Sequence, residues 1–336
     1  MKILGTLAVL LLVGQTLVEG QEKKPYPTFG KIIRHDPRFD KLVPKDAKIE
    51  KLATGFKWTE GPVWIKDGGY LLFSDIPNNT INKWKEGEGI SVFLKPSGYT
   101  GAKPRGGEPG SNGLLLDSKG RLILCEHGDR QVTRLEKNGK KTVLADKYMG
   151  KRLNSPNDAV FHSNGDLYFT DPPYGLEKVW DDPARELDFC GIYRISKDGK
   201  LTLLSKEMSR PNGIAFSLDE KTLYVANSDP EKAVWMAFAV KKDGTLGKGK
   251  VFFDATEWGK TKKGLPDGMK IDEHGNLFAT GPGGVHVFSP KGEHLGNIDT
   301  GVATANCAFG GENGNVLYIA ADKSLARIPL STKGKK

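Results

Sequence analysis

Apolar and polar residues alternate with a period of two through most of the chain, in runs of four to six residues that end at polar turns. This pattern predicts short β-strands, because the 3.6-residue period of an amphipathic helix is almost absent. Six stretches share one order of features: a polar first residue, an apolar strand, a turn and a second apolar strand. We call the first residue of each stretch its anchor, and the anchors are Glu60, Asn112, Asn157, Asn212, Asp267 and Asn306.

The anchors recur at intervals of 52, 45, 55, 55 and 39 residues, with further strand-like segments between them. Four short strands in each interval, repeated six times, are typical of the blades of a β-propeller. The sequence therefore predicts an all-β, six-bladed propeller that forms one domain over residues 48–330. Only 30 residues follow Asn306, so the last blade lacks its outer strand. We expect residues 49–56 to supply that strand and close the ring, which leaves no exposed sheet edge there.

The composition is that of a folded, turn-rich protein and excludes several other classes. Glycine accounts for 42 of the 336 residues, without the Gly-X-Y period of collagen. The three cysteines, Cys125, Cys190 and Cys307, are too few for a disulfide scaffold. They are compatible with one bridge and a free thiol, or with three buried thiols that pack as small apolar groups, which we favour.

The first 20 residues have the features of a secretory signal peptide. Lys2 precedes an apolar run at 3–13, and small residues follow at Val18 and Gly20. The run is shorter than the roughly 20 residues of a membrane-spanning helix, although an uncleaved membrane segment is the alternative. We therefore expect a secreted or periplasmic protein, with an N-terminal extension at 21–47 and no membrane attachment once the signal is removed.

The formal net charge of +9, from 50 Lys and Arg against 41 Asp and Glu, raises the question of a polyanionic partner. The lysines are mostly scattered, and no nucleic-acid-binding motif accompanies them. A solvated surface explains the charge better, and we expect no nucleic-acid partner.

The anchors carry the candidate chemistry. The innermost strand of each propeller blade borders the central channel, so the six anchors are expected around one mouth of it. Two are carboxylates and four are carboxamides, and such oxygen ligands suit Ca²⁺. The lack of His and Cys among them argues against zinc or copper. The alternative interpretation is that these Asn and Asp residues cap the turns that precede the strands.

Segments around the anchors carry a family resemblance. They are EGPVW (60–64), RLNSPNDAV (152–160), TDPPYG (170–175), RPNGIAF (210–216), LPDGMKID (265–272) and ATGPGGVHVF (279–288). In these segments the chain resembles the SMP-30/gluconolactonase family, also called regucalcin-like, and most closely its secreted bacterial gluconolactonase-type members. The resemblance implies a six-bladed propeller with a divalent metal, usually Ca²⁺, in the central channel.

The resemblance also implies roles for individual residues. The family's metal ligands correspond to Glu60, Asn157, Asn212 and Asp267, and its proton acceptor and donor to Asp267. Because a nearby cation makes a carboxylate a weak base, Asp158 is a second candidate, with turn capping as the alternative role. The candidate substrate contacts at the same mouth are Asn112, Arg152, Asn154, His127 and Tyr174.

Two positions depart from the animal members of the family. Ser155 stands where those relatives have an Arg, two residues before the third anchor, and Gly175 aligns with a substrate-contacting Glu. The motifs therefore specify the metal site more directly than they specify the sugar contacts.

Together these features predict a monomeric, Ca²⁺-dependent hydrolase that opens small sugar lactones such as gluconolactone. The metal would act as a Lewis acid on the lactone carbonyl, and a carboxylate would take a proton from water. The chain has no GxSxG or HExxH motif to support other hydrolase chemistries. Two alternatives remain on the same architecture: a Ca²⁺-dependent phosphotriesterase, and a non-catalytic binding propeller with a structural metal.

Overall fold

The computed structural model describes residues 25–335 and is built almost entirely of β-strands. The signal peptide predicted at 1–20 lies outside the described residues. Six antiparallel sheets of four or five strands follow one another along the chain and surround a central channel. The prediction of an all-β, six-bladed propeller is confirmed.

The strands divide among the blades in chain order. Three strands precede the first blade: β1 (Thr28–Phe29), β2 (Lys31–Arg34) and β3 (Ile49–Thr54). Blade 1 contains β4 (Thr59–Ile65), β5 (Tyr70–Asp75), β6 (Thr80–Lys85) and β7 (Gly89–Leu94). Blade 2 contains β8 (Ser111–Leu116), β9 (Leu122–Glu126), β10 (Gln131–Leu135) and β11 (Lys141–Ala145), and a hairpin of β12 (Lys147–Tyr148) and β13 (Lys151–Arg152) follows it.

The remaining blades repeat the same order. Blade 3 contains β14 (Ala159–Phe161), β15 (Leu167–Asp171), β16 (Gly191–Ile195) and β17 (Leu201–Ser205). Blade 4 contains β18 (Pro211–Phe216), β19 (Thr222–Asp229), β20 (Lys232–Ala239) and β21 (Lys250–Asp254). Blade 5 contains β22 (Met269–Ile271), β23 (Leu277–Gly281), β24 (Gly284–Phe288) and β25 (His294–Asp299). Blade 6 contains β26 (Thr304–Gly310), β27 (Val316–Ala321) and β28 (Ser324–Pro329).

Helical segments are short. The 3₁₀ helices are Pro37–Lys41, Lys66–Gly68, Ile76–Asn78 and Val179–Asp181, and the α-helix α1 is Thr256–Gly259. Within residues 25–335, no helix is long and apolar enough to cross a membrane.

The N-terminal part of the chain closes the ring. Strand β3 pairs antiparallel with β28 and completes blade 6, with Thr54 opposite Ser324, as the sequence predicted. The segment expected to be an extension also carries paired strands: β1 adds to β3, and β2 adds to β25 of blade 5. Blades 5 and 6 therefore have five strands each, and one continuous segment joins their outer edges.

Apolar side chains meet between neighbouring blades, because each strand turns one face toward the next sheet. One such cluster lies under the N-terminal segment and includes Phe39, Phe278 and Ile319, all fully buried. Burying a side chain of this size stabilises the fold by about 1.5–3 kcal/mol. Cys125, Cys190 and Cys307 are buried and unpaired, which confirms that they pack as thiols. The packing between blades fixes the positions of the inner strands around the channel.

Glycine allows the inner strands to approach one another closely. Four anchors are followed by glycine, and a Cβ atom at any of these positions would lie 2.0–2.7 Å from an atom of the next blade. At Gly213, for example, it would lie 2.2 Å from the carbonyl oxygen of Asp267. Any larger residue would therefore push the next anchor away from its place.

Hydroxyl groups reinforce the same contacts between blades. They donate to carbonyl groups at the start of the next inner strand: Ser74 Oγ to Asn112 O (2.9 Å), Thr170 Oγ1 to Asn212 O (2.7 Å) and Thr280 Oγ1 to Ala305 O (2.8 Å). The positions of these three inner strands are thus determined by the preceding blade as well as by their own.

We predict that Gly213→Ala destabilises the protein, because the new methyl group must displace the backbone at Asp267. Overpacking of this kind costs about 1–3 kcal/mol. Urea denaturation measures the free energy of unfolding, and Gly106→Ala is the matched control, because a Cβ there meets nothing within 4 Å. The control is expected to stay within about 0.5 kcal/mol of the wild type. Equal stability of the two variants would show that the close approach is not a constraint.

Candidate functional site

The six anchors form a ring at one mouth of the channel, each at the beginning of an inner strand. Five are buried, with 2–6% of their surface exposed, and Asp267 is partly exposed. Contacts run across the channel as well as around it, because Asn306 of blade 6 reaches both Glu60 of blade 1 and Asp158 of blade 3. These contacts bring residues of neighbouring and opposite blades together, as the repeat leads one to expect.

Three oxygen atoms of this ring are buried without a hydrogen-bond partner. They are Oδ1 of Asn112, Oδ1 of Asn157 and Oδ1 of Asp267. An unpaired buried acceptor costs about 1–3 kcal/mol, so three at one place call for a donor or a cation. Oxygen atoms of amides and carboxylates are the ligands that Ca²⁺ prefers. The donor set therefore fits the divalent metal that the family resemblance implies.

The amide groups of the ring have fixed orientations. Asn212 donates from Nδ2 to Ser228 Oγ at 2.9 Å. Asn112 and Asn157 direct Nδ2 toward Nε2 of His127, at 3.3 Å and 3.5 Å. Since the oxygen and nitrogen of an amide lie on different sides of the same carbon atom, a contact through Nδ2 leaves the oxygen directed away from that partner, and Oδ1 of Asn112 and of Asn157 has no hydrogen-bond partner.

Glu60 is held from two sides. Its Oε2 accepts hydrogen bonds from the Gly61 backbone N–H at 2.8 Å and from Asn306 Nδ2 at 3.1 Å. Asn306 is itself fixed, because its Oδ1 accepts from the Cys307 N–H at 2.9 Å. Its Nδ2 also lies 3.5 Å from Asp158 Oδ2, so Asn306 bridges two carboxylates.

The carboxylates of the channel have raised pKa values. Burial raises the pKa of Glu60 to about 8, and the neighbouring Asp158 adds to the shift. Burial also raises the pKa of Asp158, although Lys270 opposes the change. The pKa of Asp267 lies well above its ordinary value because of burial and the proximity of Glu60. Several acids close together in a buried site repel one another, and a cation among them relieves that repulsion.

The ring is made of oxygen-bearing side chains without His or Cys. Among residues 25–335, no group of three or more His, Cys, Asp or Glu side chains is arranged to hold a metal ion. Amide and carboxylate oxygens are both among the ligands that Ca²⁺ takes, whereas zinc is bound mainly by Cys and His.

The predicted substrate residues lie in different places. Asn112 belongs to the ring, and His127 lies directly behind it, fully buried. Tyr174 lies beside the ring, with its hydroxyl group 3.5 Å from the carbonyl oxygen of Ser228. Burial raises the pKa of Tyr174, and the nearby Asp267 raises it further, which places the phenol close to that carboxylate.

Arg152 and Asn154 have other partners. Arg152 is exposed and donates from Nη2 to the carbonyl oxygen of Asp129. Asn154 is buried and donates from Nδ2 to the carbonyl oxygens of Asp171 and Phe189. These contacts join loops of blades 2 and 3.

Gly175 explains one departure from the animal relatives. A Cβ atom at this position would lie 2.5 Å from the Cβ atom of His127 and 2.7 Å from that of Ser155. The backbone N–H of Gly175 also donates to Ser155 Oγ at 2.8 Å. In this protein there is thus no room for a side chain at the position where the relatives have glutamate.

Two polar residues of the site were not predicted. Glu108, on the loop between β7 and β8, lies 3.1 Å from His127 Nδ1 through Oε2 and contributes to the raised pKa values of Glu60 and Asp267. Lys270 acts on the pKa of Asp158 from blade 5. No sequence pattern indicates Glu108, because the loop that carries it is not part of the repeated unit. A sequence pattern does single out Lys270, which stands three residues after its anchor. The residues at the same position in the other five blades are all apolar: Val63, Leu115, Val160, Ala215 and Phe309.

Comparison with known proteins agrees with this geometry. A gluconolactonase of Zymomonas mobilis is 42% identical over 319 residues, which cover 91% of this chain and 88% of the relative. The solved structure of a gluconolactonase from Xanthomonas campestris has a TM-score of 0.77 at 31% identity, with 92% and 98% of the two chains covered. The diisopropyl-fluorophosphatase of Loligo vulgaris is 26% identical, with 72% and 78% covered.

The family model for the "SMP-30/Gluconolactonase/LRE-like region" matches residues 58–323. The match begins next to the first anchor and ends in blade 6, so it includes every residue of the ring. The chain therefore belongs to the SMP-30/gluconolactonase/LRE-like family, as its motifs predicted.

Proposed function

We propose that this protein is a lactone-hydrolysing enzyme that opens sugar lactones with the help of a divalent cation, Ca²⁺, in the channel. The observation that carries the metal site is the group of three unpaired oxygen atoms on Asn112, Asn157 and Asp267. Family membership and the 42% identity to a gluconolactonase support the reaction and the substrate class.

The ligands of the cation would be Glu60, Asn157, Asn212 and Asp267, as the resemblance implies. When bound, a divalent cation supplies Lewis acidity at the lactone carbonyl and positive charge where negative charge develops. The two carboxylates among the ligands balance its charge. Asn112 provides a further amide oxygen at the same mouth, in a position to accept a hydrogen bond from a sugar hydroxyl.

Asp267 is the better placed proton acceptor. It is the least buried of the six anchors, and its Oδ1 has no hydrogen-bond partner. Asp158 is 4% exposed, and its Oδ1 already accepts from the Ala159 N–H at 2.8 Å. Asp267 Oδ1 is therefore available to accept a hydrogen bond from a water molecule, whereas Asp158 Oδ1 is already engaged. We therefore assign the proton transfer to Asp267. Asp158 would contribute negative charge from a more buried position in the channel.

Phosphotriester hydrolysis is the second candidate activity. The relative named diisopropyl-fluorophosphatase supports it, at lower identity than the gluconolactonase. We further propose that the protein is exported and monomeric, in line with the leader predicted at 1–20.

Removal of the metal should abolish lactone hydrolysis. We expect EDTA to suppress the opening of D-glucono-δ-lactone and added Ca²⁺ to restore it.

Asn157→Ala should lower kcat by roughly 10²–10³-fold, the usual effect of losing a group that stabilises charge in the transition state. Asn138→Ala, at an exposed turn, is the matched control and should retain full activity. Hydrolysis that continues unchanged in EDTA would exclude the metal mechanism. Folded protein that is inert on lactones and esters would favour a binding propeller.

The two candidate proton acceptors can be separated by isosteric substitution. Asp267→Asn keeps an oxygen ligand but removes the base, so kcat should fall by roughly 10²–10⁴-fold. Asp158→Asn should lower kcat less, because its carboxylate is enclosed. Steady-state kinetics at saturating Ca²⁺ give both values. The assignment is wrong if Asp158→Asn is the more damaging change.

Metal affinity should rise with pH. Protons must leave the carboxylates before they bind a cation, and burial raises the pKa of Glu60 from 4.5 to about 8. Between these two values the metal-free protein holds a proton that the metal-bound form releases, so Ca²⁺ binds more tightly as the pH increases toward 8. Calorimetric titrations at pH 6 and pH 8, in buffers with different ionisation enthalpies, measure affinity and proton release. An affinity that is the same at both pH values would contradict the raised pKa.

A further inference from the structure

His127 occupies a fully buried place behind the ring of anchors. It follows the last residue of β9, and its backbone N–H donates to the carbonyl oxygen of Gly110 at 3.1 Å. The Gly175 backbone packs against its Cβ atom. Because the side chain is fully buried, the groups that contact its ring nitrogens all belong to the protein.

The partners of the two nitrogens differ in kind. Nδ1 lies 3.1 Å from Oε2 of Glu108. Nε2 lies 3.3 Å from Asn112 Nδ2 and 3.5 Å from Asn157 Nδ2. An ionised carboxylate can only accept a hydrogen bond, whereas an amide NH₂ can only donate. The contacts of Nε2 therefore favour the tautomer in which Nε2 is the acceptor and Nδ1 carries the proton, with the Glu108 carboxylate beside Nδ1 but not aligned with it as a hydrogen-bond partner.

This tautomer determines where the amide oxygens point. With both NH₂ groups turned toward Nε2, the Oδ1 atoms of Asn112 and Asn157 face away from His127, and these are two of the three unpaired oxygens of the ring. The opposite tautomer would attract the oxygens to His127 and turn the NH₂ groups toward the channel. Amide NH₂ groups repel a cation, so such a ring would not bind one.

Glu108 belongs to a loop that is itself held over the ring. Its side chain is 35% exposed, whereas that of His127 is 0% exposed. The loop is fixed at Thr100, whose Oγ1 donates to Asp129 Oδ2 at 2.8 Å, and at Arg105, which donates to the carbonyl oxygen of Gly175. These contacts fix the loop, so that the Glu108 carboxylate lies next to Nδ1 of His127.

We propose that Glu108 and His127 form a positioning pair that sets the amide orientation of Asn112 and Asn157, and so prepares the ring for a divalent cation. The proposal rests on the metal site of the proposed function. Partners that orient metal ligands in this way typically change metal affinity 10–100-fold when they are removed.

Substitution of His127 tests the acceptor directly. His127→Gln can keep an acceptor near the position of Nε2, and we expect its Ca²⁺ affinity to stay within about threefold of the wild type. His127→Leu has no acceptor, and its affinity should fall by roughly 10–100-fold. Isothermal titration calorimetry measures the affinities, and thermal unfolding in EDTA measures whether each variant is folded.

His162→Leu is the matched control, because His162 also lies near a glutamate, with Nε2 3.5 Å from Glu220 Oε2, but on the turn after β14, at the other end of that strand from Asn157. Its Ca²⁺ affinity should not change. The proposal is overturned if folded His127→Leu binds Ca²⁺ as tightly as the wild type, or if folded His127→Gln is as weak as His127→Leu.

The tautomer provides a test that needs neither metal nor a variant of His127. In ¹⁵N NMR spectra of the metal-free wild type, we expect the ring proton of His127 on Nδ1, and Glu108→Ala should give a mixture of tautomers. A proton on Nε2 in the wild type overturns the proposal. If the wild type binds no metal, the metal site of the proposed function fails, and the NMR result still decides whether the pair orients the amides.

Discussion

The concentration of oxygen atoms at the channel axis is the constraint on which the rest of this structure depends. Six polar anchors, two of them acidic, converge where a protein core would ordinarily place apolar groups, and three of their oxygens are unpaired. Such an arrangement costs free energy in the protein alone. It is tolerated because the surrounding blades are rigid: large apolar clusters between the sheets, axial glycines and hydroxyl-to-carbonyl bonds hold each anchor in place.

The same rigidity gives the site its orientation. The ring needs oxygens, not NH₂ groups, toward the axis, and this is decided by groups behind the ring. Ser228 accepts from Asn212, and His127 lies against Asn112 and Asn157. Asn306 neutralises part of the repulsion between Glu60 and Asp158 by donating to both. We therefore regard the supporting groups as equal in importance to the ligands of the proposed cation.

The features that recur in every blade could be predicted from the sequence, whereas the features that occur only once could not. The spacing of the anchors predicted six blades, the ring around the channel and the closing strand β3, because each follows from one unit copied along the chain. The pairing of Lys31–Arg34 with blade 5 was not predicted, since a short strand gives no sign of a partner more than 250 residues away. Glu108 was missed for the same reason, because its loop occurs once. The substrate contacts predicted at Arg152 and Asn154 stay predictions, and both side chains donate to backbone carbonyl groups.

A crystal structure of the protein grown with Ca²⁺ tests the central claim most directly. We predict one strong peak of density on the channel axis, contacted by side-chain oxygens of Glu60, Asn157, Asn212 and Asp267, with the amide nitrogen of Asn157 toward His127. A structure at the same Ca²⁺ concentration with water in this position, or with the amide NH₂ groups facing the axis, would contradict the account.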